Sequence, residues 1–263
     1  MCDTYVDMTG LRSLVVCFLV FSGFGCTQYG SWDLIGSIMS DQEEVSDPAD
    51  TEIVDVLDTL LIRYTFDSSA SPETDDSGNG HTGTVSGATW LDDGSRGGVL
   101  QFDGLSGYME VPSISAGAPD ITFVAWLNIA SLPSVMRAIY AVDEWSPRGF
   151  HINLKTSGII EAGVESNSPV AVESSYAVGI GDVGRWLHYA VAYDSTAMTT
   201  RVYVDGAPSG STTHTVVNDA KLSLARIGAF GGSRWFHGKM DDVRIYGRAL
   251  SDVEINTVFQ ATQ

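Results

Sequence analysis

In Ile121-Thr-Phe-Val-Ala-Trp-Leu-Asn-Ile129 every odd position is apolar. A period of two is what a strand needs to bury one face and leave the other outside. The same alternation recurs at Leu60 to Phe66, Val99 to Phe102, Tyr108 to Val111, Arg137 to Val142, Phe150 to Leu154, Trp186 to Tyr193, Arg201 to Val204, Leu222 to Ile227 and Met240 to Tyr246. Turns rich in Gly, Asp, Asn and Pro separate these runs, and Asp205-Gly206 is a hairpin signal. So many short strands at this spacing predict an all-β, two-sheet antiparallel jelly-roll sandwich. One helix is predicted, at the C-terminal end, where Ser251 and Glu254 form a capping box ahead of Ile255, Val258 and Phe259. No longer repeat is visible, which argues against a propeller or a solenoid.

Charge divides the chain into three. Of 33 acids and 14 bases, residues 1–25 hold a net −1, residues 26–58 nine acids and no base, and residues 59–263 a net −9. The first segment reads as an export signal, because Leu14 to Phe21 is an apolar run behind Arg12 and ahead of small residues. It is too short to span a bilayer as a helix. Gly23-Phe24-Gly25-Cys26 resembles a bacterial lipoprotein cleavage site, with Cys26 as the lipidated residue; the plainer reading is ordinary secretion with a free Cys26. Residues 26–58 then form a self-repelling acidic tether able to hold a domain tens of ångströms from a membrane. The chain is thus expected to be exported, at the outer membrane or cell surface or else secreted, with membrane contact only through Cys26. All three cysteines, at 2, 17 and 26, precede the 59–263 domain, which leaves that domain without a disulfide, a thiol nucleophile or a thiolate metal site. Three lysines in a chain of net charge −19 cannot make a basic stripe, so nucleic acid is not an expected partner.

Catalytic patterns are missing as well. There is no Gly-x-Ser-x-Gly elbow, no His-Glu-x-x-His and no Walker-type glycine loop. Retaining glycosidases need two carboxyl groups about 5 to 5.5 Å apart. Glu161 and Glu165 are four residues apart, about 13 Å along a strand, and the adjacent Asp143 and Glu144 point to opposite faces. The domain is therefore expected not to be an enzyme, glycoside hydrolysis being the weaker alternative. His188 is expected to be packed, and His151, alternating with Phe150 and Ile152, to lie on an outer or concave face.

The ordered series Tyr64-Thr-Phe-Asp67, Asp75-Asp-Ser-Gly-Asn-Gly-His81, Leu100-Gln-Phe-Asp-Gly104, Phe123-Val-Ala-Trp126, Trp186 to Asp194, Val202-Tyr-Val-Asp-Gly206 and Gly238 to Tyr246 resembles the laminin G-like family of concanavalin A-like domains. The resemblance covers nearly all of residues 60–259. It implies a jelly roll that binds glycans or proteins outside the cell, often with calcium.

A calcium site can also be argued from the residues. Asp241 reads as sharing a strand face with Val243 and Ile245, and Asp67 follows the apolar Tyr64 and Phe66. A carboxylate at the edge of an apolar face needs a neutralising partner. Calcium takes six to eight oxygens, and the Asp75 to Gly80 loop supplies Asp, Asn and carbonyl donors. Asp75, Asn79, Asp241 and Asp67 are the expected ligands, in a structural role; the plainer reading is an Asx-turn at Asp75 and Asn79 with Asp241 capping a loop amide.

Sugar binding needs exposed aromatic rings beside polar groups. Trp145 and Trp235, flanked by turn residues, are the candidates, with Arg148, Asn153 and Asp143 as hydrogen-bonding partners. Trp126 and Trp186 lie in strands and read as packed. The expected function is a non-catalytic carbohydrate-binding module, the alternative an adhesion or scaffold domain that recognises an extracellular protein. The acidic character disfavours an anionic glycan.

Overall fold

The computed structural model describes residues 56, 58–114, 119–142 and 148–263. The export signal, Cys26 and nearly all of the tether lie outside the described residues. Two antiparallel sheets face each other. The first runs in the order β13 (Ala207–Thr213), β12 (Thr199–Val204), β11 (Trp186–Asp194), β6 (Ile121–Ile129), β15 (His237–Tyr246), β4 (Gly98–Asp103) and β3 (Thr89–Asp92), with β1 (Leu60–Tyr64) also paired to β15. The second runs β10 (Ala171–Ala177), β9 (Ile159–Val164), β8 (Phe150–Leu154), β7 (Arg137–Val142), β14 (Ala225–Ile227), β5 (Tyr108–Val111) and β2 (Thr84–Ser86). This is the jelly-roll sandwich that the alternation predicts. Its core interleaves Ile121, Phe123, Ala125, Leu127 and Ile129 of β6 with Tyr140, Phe150, Ile152 and Leu154 of the facing sheet.

The predicted helix, α1 (Asp252–Ala261), begins with the expected cap: Ser251 Oγ accepts from the Glu254 N–H (3.3 Å), and Glu254 accepts from the Ser251 N–H (2.7 Å). Glu254 also pairs with Arg248, and the Arg248 hydrogen bond holds its carboxyl down at about 2. α1 lies on the outer face of the first sheet, where Ile255 and Val258 pack with Val124, Ala190, Ala192, Tyr203 and Tyr246. Two expectations change as a result. Strand β6 is buried on both faces along all nine residues rather than half-buried, because the helix covers its even positions. Val56, inside the stretch expected to be a loose tether, is buried in this same cluster.

The hairpin at Asp205-Gly206 turns with φ of 49° and 73°, both left-handed, as a tight turn between right-twisted strands requires. Gly206 has a second reason to lack a side chain, since a Cβ there would sit 2.6 Å from the Phe259 ring of α1.

Strand β15 carries a bulge. Asp241 opposes Trp126 and Arg244 opposes Val124, so three steps on β15 match two on β6, and the extra residue Asp242 has φ 43°. The bulge corrects the expected facing of Asp241. Met240, Val243 and Ile245 enter the core, whereas Asp241 and Trp126 lie on the outer side near the end of α1.

Candidate functional site

With one sheet capped by α1, the outer face of the seven-stranded sheet is the face left for a ligand. Because Phe150, Ile152 and Leu154 point inward, His151 and Asn153 of β8 point outward. They line a pit with Glu165, Phe230 and Arg234, floored by Ala141 of β7. Asn153 is 2% exposed; its Nδ2 donates to Glu161 Oε1 at 3.4 Å, and its Oδ1 has no hydrogen-bond partner. A buried acceptor left unpaired costs about 1–3 kcal/mol, which a donor on a ligand would relieve.

The pit's electrostatics are mixed. His151 Nδ1 stands 3.6 Å from Glu165 Oε1. Burial pushes the imidazole down, toward the neutral form, against the field of Glu161. Burial pushes the Glu165 carboxyl up, with Glu161 adding to it and Arg234 opposing. Beside them Lys155 bridges Glu161 (3.4 Å) and Glu173 (2.6 Å). Arg234 arrives on a short finger: Phe230 and Ser233 exchange backbone hydrogen bonds across Gly231 and Gly232, at φ 52° and 74°. The Arg234 backbone has φ 53°, unusual for a residue with a Cβ, while its carbonyl accepts from the Ala138 N–H at 2.7 Å and its guanidinium lies 5.3 Å from the Phe230 ring centre. Such strain persists only where the surroundings enforce it. The pit thus offers an unpaired acceptor, a carboxyl, a guanidinium and an aromatic ring within one small volume.

Of the residues expected at a ligand, Asn153 lies in the pit. Arg148 (φ 77°) sits beside it but donates to the Asp219 carbonyl at 3.2 Å. Trp235 packs on Tyr108, ring centres 6.0 Å apart, and does not line the pit. Trp145 and Asp143 lie outside the described residues. Glu165, Arg234 and Phe230 were not among the expected ligand contacts; the signal for the last two is the Gly-Gly turn with an aromatic and a basic residue on either side.

The four expected calcium ligands do not come together. Asp75 Oδ1 accepts from the backbone N–H of Arg63 and Ser77, and Oδ2 from that of His81, at 2.8 to 3.0 Å. These bonds outweigh burial and hold its carboxyl below the usual range. Asn79 Nδ2 donates to the carbonyls of Leu60 and Leu61. Asp75 thus makes the Asx-turn of the plainer reading with Ser77, while Asn79 ties the loop to β1. Asp67 and Asp241 share a cleft of about 310 Å³ near the end of α1, but Asp241 is bound by Arg96 (2.6 Å) and the neighbouring Asp242 by Arg244 (2.7 Å) and Arg63 (3.2 Å). Among the described residues no group of three His, Cys, Asp or Glu is placed to hold a metal ion. The four residues as arranged do not make one calcium donor set, because Arg96 neutralises Asp241 and backbone N–H groups satisfy Asp75. Thermal melts in EDTA and in millimolar calcium should therefore coincide, and a melting temperature raised by calcium would reinstate a site.

Residues 102–256 match the family model of the concanavalin A-like lectin/glucanases superfamily, a laminin G group. The chain belongs to this superfamily. Among solved structures, domain 4 of AbnA, a GH43 extracellular arabinanase from Geobacillus stearothermophilus, in complex with arabinotriose, superposes on 78% of this chain and 98% of that domain, with a TM-score of 0.60 and 20% identity. The binding domain of Paraclostridial Mosquitocidal Protein 1 matches 78% of this chain and 53% of its own, at a TM-score of 0.64 and 15% identity. The binding domain of botulinum neurotoxin DC in complex with SialylT matches 79% and 52%, at 0.62 and 13%. At these identities the likeness is one of fold. Mouse (Mus musculus) usherin is 34% identical over 82 residues, and this chain spans 2% of its length. Within the superfamily the β-sandwich is the shared part, and a site has to be read from each member's own residues.

Proposed function

We propose that the domain is a non-catalytic glycan-binding module of an exported protein. The observation that carries this reading is the pit on the uncapped sheet face, with the buried, unpaired Asn153 Oδ1 at its base and Glu165, Arg234 and Phe230 around it. Sugar hydroxyls donate and accept at once, so a ligand rich in them satisfies an amide oxygen and a carboxyl together while a ring carries its C–H face. The arabinotriose complex of the AbnA domain and the SialylT complex of the toxin domain support the class of ligand. Catalysis is not part of the proposal, since Lys155 holds Glu161 in an ion pair that Glu173 shares.

Retention on a panel of insoluble polysaccharides tests this. The parent should be retained on at least one neutral polymer, and Asn153→Ala and Glu165→Gln should each lose about tenfold in affinity, the size of one good hydrogen bond to a charged or buried group. Unchanged retention in both variants, with melts showing that they fold, would remove the pit from the reading. Protein recognition is a second reading, favoured by Leu105 and Ile180, which are 75% and 80% exposed. It predicts retention by an extracellular protein and by no glycan.

A further inference from the structure

Trp235 and the pit share one sheet face. Met109 and Val111 of β5 enter the core, so Tyr108 faces outward, and Trp235 leans on it at an interplanar angle of 37°. Behind this pair, Arg226 of β14 lays its guanidinium 4.6 Å from the Tyr108 ring centre. Arg137 fixes the Trp235 backbone by donating Nη1 to its carbonyl at 2.7 Å and to that of Gly104 at 2.8 Å. The indole is thus braced and only partly buried. Between Tyr108 on β5 and Asn153 on β8 stand β14 and β7, three strand spacings or about 14 Å. That distance exceeds any single sugar ring. A single loop connects the two places: Arg234 reaches the pit, and the next residue, Trp235, reaches Tyr108.

Resting on the glycan reading, we propose that pit and indole are two subsites of one elongated site, which binds an internal stretch of a neutral polysaccharide crossing the strands. One sugar places a hydroxyl against Asn153 Oδ1 and another stacks on Trp235. Tyr108 and Arg226 are positioning residues that hold the indole. The preference for a neutral chain arises at the pit end, where Glu161, Glu165 and Glu173 outnumber Lys155 and Arg234 and repel a uronic or sialic acid, while Arg137 and Arg226 lie at the indole end.

Affinity electrophoresis or calorimetry with disaccharide to hexasaccharide ladders of arabinan, xylan, mannan and β-glucan, against an oligogalacturonate ladder, decides this. The parent should gain about tenfold from the shortest to the longest member of one neutral ladder, the size of one aromatic stacking contact. Trp235→Ala should remove that gain. If this variant fails to fold, Trp235→Leu takes its place, and the parent's length dependence stands as a test by itself. Affinity independent of length in the parent, equal loss at every length in the variant, or preference for the charged ladder would each overturn the elongated neutral site while leaving glycan binding intact. Absence of binding at every length would overturn the glycan reading and this proposal with it.

Discussion

Replacing Arg96 by alanine should cost about 3–5 kcal/mol of stability at neutral pH, the effect of leaving one member of a buried ion pair alone. Arg96 Nε meets Asp241 at 2.6 Å, Nη2 donates to the Thr262 carbonyl at 3.1 Å, and the guanidinium lies 4.2 Å from the Trp126 ring centre. Its removal therefore unties the end of α1 as well as exposing Asp241 to an unmatched environment. Even with Arg96 present, burial pushes the Asp241 carboxyl up to about 6. A carboxyl raised in the folded state binds its proton more tightly there than in the unfolded chain, so stability is lost as pH rises from the ordinary carboxylate range through the folded value. Without Arg96 that value climbs further. The deficit of Arg96→Ala should accordingly be large at pH 7 and smaller at pH 5, and urea melts at both would show it. The paired replacement Arg96→Met with Asp241→Leu should recover most of the loss, since an apolar pair needs no compensation. A deficit below about 1 kcal/mol, or one independent of pH, would show that the pair is solvated and that the bulge does not bury Asp241.

His188→Leu should be at least as stable as the parent above pH 7 and increasingly more stable below it. His188 is fully buried between Trp126 and Phe259, each ring centre 5.3 Å away, and neither ring nitrogen has a hydrogen-bond partner. Burial pushes its pKa down to about 3, with Asp242 opposing and Arg244 and Arg96 adding to the effect. Since the unfolded chain takes up the proton near the ordinary value and the folded one does not, the parent loses stability as pH falls through 6.5, at up to about 1.4 kcal/mol per pH unit. The carboxyl of Asp241 acts in the opposite sense over part of this range, but it is common to both proteins and cancels in their difference. The difference between parent and His188→Leu isolates the imidazole, and a difference flat between pH 7.5 and pH 4.5 would mean that this ring has access to water.

The layers of the sandwich were legible because the interior strands are rich in apolar residues at every second position, and Ser251 and Glu254 announced the helix. Strands β2, β3, β10 and β13 were not, because they stand at sheet edges or beside them, where Ala-Val-Glu-Ser-Ser-Tyr-Ala and Ala-Pro-Ser-Gly-Ser-Thr-Thr bury little and carry no apolar period. Strand β9 alternates through Ile160, Ala162 and Val164, but Ile159, apolar and next to Ile160, and Gly163 blur its period. The facing of Asp241 was misread because a bulge advances the register by one residue and no composition signal marks Asp242. Asp241 looked in need of an ion because its partner Arg96 is 145 residues away in sequence and meets it only in the fold. The proposed binding face was partly readable. Asn153 and His151 fall on the outward parity of β8, whereas Glu165 and Arg234 join them only through strand pairing and the Gly-Gly finger.

The covering of one sheet by α1 gives the module a front and a back. Val56 is held beneath the helix, and β1 enters beside β15 in that same layer, so the polypeptide leading into the domain arrives at the back. A bead, dye or neighbouring module fused ahead of residue 56 should leave the proposed binding face open, whereas attachment through the Phe230 to Trp235 finger should blind it.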